Sequence, residues 1–324
     1  MGTLLTATED LSPSARCRNR RRRAQQTAQQ ERARTSAPVV SVHGSIVEVL
    51  IATLGDVMLD VIARLEQPLA RGDDVRAATT VGAGGQAANV AAWAASLGAQ
   101  ARCIAKCGDD DAGRLVARAL TAHGVELVGP VVSGATGVVV SVVEEGERTM
   151  ASDRGVASTL DPVELEPAWL ECDVLHVSGY ALLREPIGAA AQRAVRLARE
   201  HDARISVDLA AWSEIRRFGP VPFRGLLDEL APDVLLATEA EWELLGGAYL
   251  AAPVGVIKRG PRGCTIVTAD ARLDLAPVPA DVVDPTGAGD ALAAGFLLGG
   301  SLEEAARRGL EAAACCVAKV GSLP

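Results

Sequence analysis

Aromatic side chains are scarce, at 3% of the 324 residues, and the formal net charge is −9. Together these exclude a nucleic-acid binder that works by stacking bases or neutralising phosphates. No stretch of about 18 apolar residues is free of charges or Gly-rich breaks, so no membrane span is expected. The seven cysteines are odd in number, and none forms a C-x-x-C pair. Cys315 and Cys316 are adjacent in an apolar helical stretch. Reduced thiols in a cytoplasmic protein are therefore expected, with neither a disulfide framework nor a zinc site. His43, His123, His176 and His201 are too scattered to suggest a ligand cluster. The patterns G-x-S-x-G, H-E-x-x-H and G-x-x-x-x-G-K-[ST] are absent, which removes the usual hydrolase, zinc-protease and P-loop readings.

What is present is apolar bulk. Hydrophobic residues make up 49% of the chain, enough for a sizeable core and too many for wholesale disorder. Residues 1–46 differ from the rest. Eight of the 32 Lys and Arg residues lie in 1–50, including Arg20 to Arg23, against four of the 41 acidic ones. Residues 51–324 thus hold 24 basic and 37 acidic groups, a net of −13. The basic segment lacks the apolar region of a secretory signal and reads as a disordered extension; a transit peptide or a polyanion-binding arm is the alternative.

From residue 49, strand-length apolar runs alternate with helical stretches. Strands are predicted over 49–54, 102–106, 174–178, 205–208, 234–237, 254–258 and 264–268, and helices over 87–97, 112–123, 188–201 and 239–245. Short continuous apolar strands between helices predict an α/β fold with a parallel sheet covered on both faces. Segments 74–81 and 136–151 break the rhythm and read as β-ribbons, the second turning at 144–147. Neither is expected to lead directly into a crossover helix, so they predict a small flap at one end of the body. Asp109, Asp110 and Asp111 precede a predicted helix and read as an N-cap rather than a metal site.

The most informative stretch is Asp284-Pro-Thr-Gly-Ala-Gly-Asp290, followed by a helix-forming run. Gly287 and Gly289 allow the backbone to curl so that successive N–H groups converge at a helix N-terminus, an anion site. The helix dipole favours a carboxylate at Asp290, predicting an ionised group at neutral pH. A carboxylate beside an anion cradle suits removal of a proton from a hydroxyl that attacks phosphorus. Taken alone, the motif equally describes a Gly-rich turn with a helix-stabilising Asp. The second motif is Gly82-Ala-Gly-Gly-Gln-Ala-Ala-Asn89. It mimics a dinucleotide fingerprint, but the stretch before it belongs to the flap and the next predicted strand ends in Lys106 rather than an acid. Its glycines instead permit close approach to a ligand. Gln86 and Asn89 share a helix face, where two amides can read sugar hydroxyls; a polar helix start is the plainer reading.

Together the two motifs resemble the ribokinase-like (PfkB-type) carbohydrate kinases. The first pattern is carried by Gly84, Gly85, Asn89, Ala91, Gly98 and Gly108, and the second by residues 284–296, including Asp290 and Gly295. The resemblance extends over Leu54 to Asp60 and over Val256 to Gly263. It implies a three-layer α/β/α sandwich over 47–324, with a mainly parallel sheet and a β-strand lid within about 66–82 and 134–152. It also implies ATP with Mg²⁺ as phosphoryl donor and a sugar-like acceptor. Asp290 corresponds to the catalytic base, and Gly287, Ala288 and Gly289 to the anion hole. Asp60, Gly84, Gly85, Gln86 and Asn89 correspond to acceptor contacts. Lys258, Gly260, Gly263, Thr238 and Glu241 fall in the nucleotide region, with Glu241 also matching a residue acting on the magnesium–phosphate shell. Asp284 matches a residue that helps hold a monovalent cation, which makes K⁺ a candidate.

Several positions depart from the family pattern. Thr238 stands where many members have Asn, and T-x-x-E at a helix start is also a capping box. Gln86 replaces a Lys and Met58 a polar residue of ribokinase proper, which weakens ribose as the acceptor. The chain stops at Pro324, where typical members continue into residues that finish the nucleotide and cation sites, which weakens the expectation of potassium activation. Lys258 suits either a phosphate or an acidic neighbour. Arg148 and Arg154, in and after the flap ribbon, could clamp an anionic substituent. A nucleoside kinase and a ligand sensor on the same fold are the alternative functions, with Tyr180, Trp93 and Trp212 the candidates for stacking a base. Pairing of exposed flap edges makes a homodimer the candidate assembly.

Overall fold

Successive residues of the core strands alternate between two apolar layers. Val174 faces one and Leu175 and Val177 the other; Val234 and Leu236 likewise oppose Leu235 and Ala237. A strand buried on both faces must be apolar throughout, so the predicted 174–178 and 254–258 coincide with Val174–Ser178 and Val254–Lys258. The computed structural model describes residues 49–324 apart from 73, 145–146 and 248–250. The Arg-rich extension over 1–46 and the tip of the predicted turn at 144–147 lie outside the described residues.

Edge to edge, the central sheet runs Arg272–Leu275, Cys264–Val267, Val254–Lys258, Val234–Thr238, Arg204–Asp208, Val174–Ser178, Leu50–Leu54, Gln100–Ile104 and Val125–Val128. The first two pairings, of Cys264–Val267 with Arg272–Leu275 and with Val254–Lys258, are antiparallel and the remaining six parallel. One face is covered by Gln86–Ser96, Asp111–Ala122, Ala288–Leu297 and Leu302–Val317, the other by Ile187–Arg199, Trp212–Phe218, Pro220–Leu230 and Glu239–Leu244. This is the expected three-layer α/β sandwich. The two edge strands, Val125–Val128 and Arg272–Leu275, have no counterpart among the predicted strands. Both are partly exposed, so neither needs the apolar run that marks a central strand. Asp110 caps its helix by accepting from the Gly113 amide at 2.9 Å, as the N-cap reading expects.

A second sheet has the order Ala77–Gly84, Met58–Leu65, Thr136–Glu144, Glu147–Gly155. Its first strand begins at Met58, not near 66. The chain leaves the central sheet after Leu54, and Met58–Leu65 then alternates between buried and half-buried positions, as a one-faced strand does. The expectation that neither ribbon leads into a helix also fails, since Ala77–Gly84 enters Gln86–Ser96 through the single residue Gly85. The strand before the second motif is nevertheless an antiparallel lid strand, which removes the dinucleotide reading. The six described cysteines are free. Among the described residues no helix is long and apolar enough to cross a membrane, and no group of three or more His, Cys, Asp or Glu side chains could hold a metal.

Candidate active site

In open parallel sheets, side chains at the carboxyl ends of strands meet ligands. Here Asp208 and Lys258 end two such strands, with Thr238 between them. The helices Gln86–Ser96 and Ala288–Leu297 pack against each other on one face of this sheet.

Gly287 caps Ala288–Leu297 with φ 77°, a left-handed conformation for which glycine is suited. A Cβ there would lie 2.7 Å from the Ser322 backbone, so glycine is required twice over. The first-turn amides have no acceptor inside the helix. The Ala288 amide, however, turns onto the Pro285 carbonyl at 3.3 Å and must leave it to join an anion hole. Asp290 lies in this first turn and accepts from Asn89 Nδ2 at 2.8 Å. Asn89 Oδ1 in turn accepts from the Ser322 hydroxyl at 3.0 Å. The Asn89 amide thus holds Asp290 with one of its two N–H groups and keeps the other N–H and a second acceptor site on Oδ1.

Burial pushes the Asp290 carboxyl up to about 7; Asp208 and Asp60 act in the same direction, while Asn89 and Lys258 oppose them. The sequence-based expectation of a fully ionised carboxylate is thereby corrected. Desolvation outweighs the helix dipole at this position.

Lys258 Nζ bonds both oxygens of fully buried Asp208, at 2.7 and 2.6 Å. Burial disfavours its charge, but Asp208, Glu241 and Asp290 together hold its ammonium above its ordinary value. The ammonium also lies beside the Gly287–Gly289 turn, since a Cβ on Gly289 would stand 3.3 Å from Nζ. Lys258 is thus neither a surface residue nor free of a partner. Thr238 and Glu241 form a reciprocal capping box, with Glu241 Oε2 accepting from the Thr238 amide at 2.7 Å. Gly260 and Gly263 lie in the turn after Lys258, where the Arg259 amide donates to the Gly263 carbonyl at 2.9 Å. Local turn geometry accounts for both. Gln86 keeps both amide atoms buried and faces Asp208, whose carboxyl its side chain helps to hold down against the effect of burial.

On the lid side, Gly84 leaves room for the Asp60 carboxylate and Gly85 for the Asp56 backbone carbonyl, while Gly82 faces open space. A Cβ on Gly84 would stand 2.2 Å from the Asp60 carboxylate, and one on Gly85, with φ 96°, 2.3 Å from the Asp56 carbonyl. Asp60 is 8% exposed, and burial lifts its carboxyl to about 6 against the pull of Arg148. It lines a cavity of about 240 Å³ with Thr80, Gly82 and Ser322. Arg154 pairs with Asp56 and lies 4.2 Å over the Tyr180 ring. Arg148 bonds the Ser141 and Thr286 hydroxyls. Both arginines therefore point inward. Asp284 is 3% exposed; burial raises its carboxyl, but hydrogen bonds from Thr286 and Gly321 and the charge of Arg148 outweigh it and hold the group below its ordinary value.

The family model for pfkB family carbohydrate kinases matches residues 49–324. The chain belongs to this family. It is similar to the ATP-dependent ribose-1-phosphate kinase of Halopiger xanaduensis, 32% identical over 281 residues, covering 83% of this chain and 90% of the relative. Among solved structures, the adenosine kinase from Sinorhizobium meliloti superposes with a TM-score of 0.77 at 26% identity, covering 86% of this chain and 96% of that one. A ribokinase II from E. coli, solved in complex with ATP and Mg²⁺, shares the fold with a TM-score of 0.73 at 21% identity, over 85% and 94% of the two chains. The protein is thus a carbohydrate kinase of the pfkB family.

Asp290, Asn89, Gln86, Lys258 and Glu241 converge, and Asp60 is close enough to act on the charge of Asp290. Sequence reasoning missed Asp208, Asp56 and Ser322. An acid ending an otherwise apolar core strand was the available signal for Asp208; nothing in the local sequence marks Ser322.

Proposed function

We propose that this kinase transfers the γ-phosphoryl group of ATP to a hydroxyl, of the primary alcohol type, on a sugar or sugar-like molecule. The observation that carries the reading is Asp290, fixed by Asn89 in the first turn of Ala288–Leu297 with its proton affinity raised to about 7. A base with that affinity can take a hydroxyl proton as the oxygen attacks phosphorus. The first-turn amides and the Lys258 ammonium supply fixed positive potential for the equatorial oxygens of the transferred group. ATP arriving with Mg²⁺ supplies the phosphoryl group and a counter-charge between its phosphates. The lid, through Asp60, covers the acceptor and limits loss of phosphate to water.

Aromatic platforms favour a sugar over a nucleoside. The Tyr180 face is taken by Arg154, Trp93 is buried, and Trp212 carries Arg216 at 5.4 Å. Given the similarity to a ribose-1-phosphate kinase, a sugar phosphate belongs in the test. Exposed Val81 and Val140 on the lid, with its two free edges, suit pairing with a second copy. An ADP-release screen across ribose, ribose-1-phosphate, fructose, sugar acids and nucleosides tests the reading. Acceptor-dependent ADP release that disappears in Asp290→Asn supports it; release unchanged in that variant overturns it.

A further inference from the structure

Asp284 occupies the position that implies a monovalent cation in this family, and the residues around it do not fit one. Every oxygen that the structure gathers there is already engaged. Asp284 Oδ1 accepts from the Thr286 amide and Oδ2 from the Gly321 amide, each at 3.0 Å. The Val283 carbonyl accepts from Arg64 Nη2 at 3.0 Å. The Thr286 hydroxyl accepts from Arg148, and the Thr286 carbonyl from Cys316 Sγ at 3.2 Å. The Val317 carbonyl accepts from the Val283 and Asp284 amides at 2.7 and 3.2 Å. These bonds bring partial positive charge onto each oxygen and leave at most one lone pair apiece on the Val283 carbonyl, the Thr286 carbonyl and each Asp284 oxygen.

Fixed positive charge is already in place. Arg64 Nη2 lies 4.0 Å from Asp284 Oδ2, and the Arg64 and Arg148 side chains line the same cavity of about 260 Å³ against Asp284 and Pro285. An additional cation in that cavity would meet two guanidinium groups across a poorly screened, half-buried space. Both arginines come from lid strands, Met58–Leu65 and Glu147–Gly155, whereas Asp284 and Thr286 belong to the loop that ends in Gly287.

We infer that Arg64 is the built-in cation of this site. Its guanidinium balances Asp284 in place of a free monovalent ion, and its bond to the Val283 carbonyl ties lid seating to the loop that positions the first-turn amides. Arg64 is a positioning residue, and the inference rests on the proposed role of those amides. It predicts a kinase indifferent to potassium, in which the lid must be docked for the anion hole to hold its shape.

The test compares wild type, Arg64→Ala and Arg64→Lys in the chlorides of tetramethylammonium, Na⁺ and K⁺ at constant ionic strength. Thermal midpoint is read without any acceptor, and turnover with the acceptor found by the screen. Wild type and Arg64→Lys are expected to show the same midpoint and turnover in all three salts. In tetramethylammonium, Arg64→Ala should lose roughly tenfold in turnover, less than deletion of an oxyanion donor itself costs. Potassium should then raise both its midpoint and its turnover. A saturable potassium effect on the wild type overturns the inference, as does an Arg64→Ala variant blind to potassium in both readouts. If Arg64→Ala does not fold, Arg64→Gln, which keeps a donor for Val283 but no charge, takes its place. If no acceptor is phosphorylated the kinase reading fails, while the midpoint comparison still judges the cation.

Discussion

Ser322 anchors the far end of the Asn89 amide that holds Asp290. Its hydroxyl donates to Asn89 Oδ1 at 3.0 Å, which leaves Nδ2 to donate to Asp290 at 2.8 Å. Amide oxygens only accept and amide nitrogens only donate, so the reversed amide would turn an acceptor onto ionised Asp290 and lose that bond, whereas the Ser322 hydroxyl could rotate to accept from the nitrogen. Ser322 is itself fixed, because its carbonyl accepts from Trp93 Nε1 at 2.8 Å. Three segments far apart in the chain thereby orient one carboxylate.

Removing the hydroxyl should loosen that carboxylate without touching the nucleotide. Ser322→Ala is expected to lower kcat by roughly tenfold, within the range that small misplacements of a reacting group cost. The KM for ATP should stay within about twofold. Steady-state kinetics in both substrates checks this, and an unchanged kcat would sever Ser322 from the base.

Asp290→Asn should lower turnover by about 10²–10⁴-fold, the scale of a lost general base, while nucleotide binding, measured by calorimetry, persists. The same change should stabilise the fold at high pH. The Asp290 carboxyl is raised from 3.8 to about 7 by burial, so the folded state holds its proton more tightly than the unfolded one. Stability conferred by that proton is complete below about 4 and lost as pH rises through about 7. The variant should therefore gain thermal midpoint at pH 8 and gain little at pH 4, as read by differential scanning calorimetry.

The pH dependence of catalysis follows from the same group. With the base titrating near 7, kcat/KM should rise through that pH and level off above it. The Asn89 hydrogen bond opposes the upward shift. Asn89→Ala should therefore move the acid limb to higher pH as well as reduce its height. A limb that moves downward would contradict the assignment.

Lys258 and Asp208 should fail together more gently than apart. Lys258→Met leaves a fully buried carboxylate unpaired and should cost about 3–5 kcal/mol of stability, as broken buried pairs do. The double variant Lys258→Met with Asp208→Leu should recover much of that stability and none of the activity. Denaturant titration of the four members of the cycle measures the coupling.

Strands buried on both faces were legible in the sequence because the requirement is local: an apolar run of the right length between helix signals. The same is true of the Thr238–Glu241 capping box, whose partners lie three residues apart. The Asp284–Asp290 and Gly82–Asn89 motifs were legible because backbone conformation and helix starts are short-range properties. Met58–Leu65 has no counterpart among the predicted strands, because the alternation of a one-faced strand does not name the sheet it joins.

What the chain's order of residues determined by itself is therefore the layered α/β body, the kinase motifs and the identity of Asp290 as the group to watch. Tertiary structure decided the rest. That Asn89 serves Asp290, that Asp208 fixes Lys258, and that Arg64 meets Asp284 are contacts across 201, 50 and 220 residues. So is the proton affinity of Asp290, since it depends on how deeply the first turn is buried and on which charges the fold gathers around it. Charge and burial act through space, and no local pattern along the chain encodes which distant side chain will supply them.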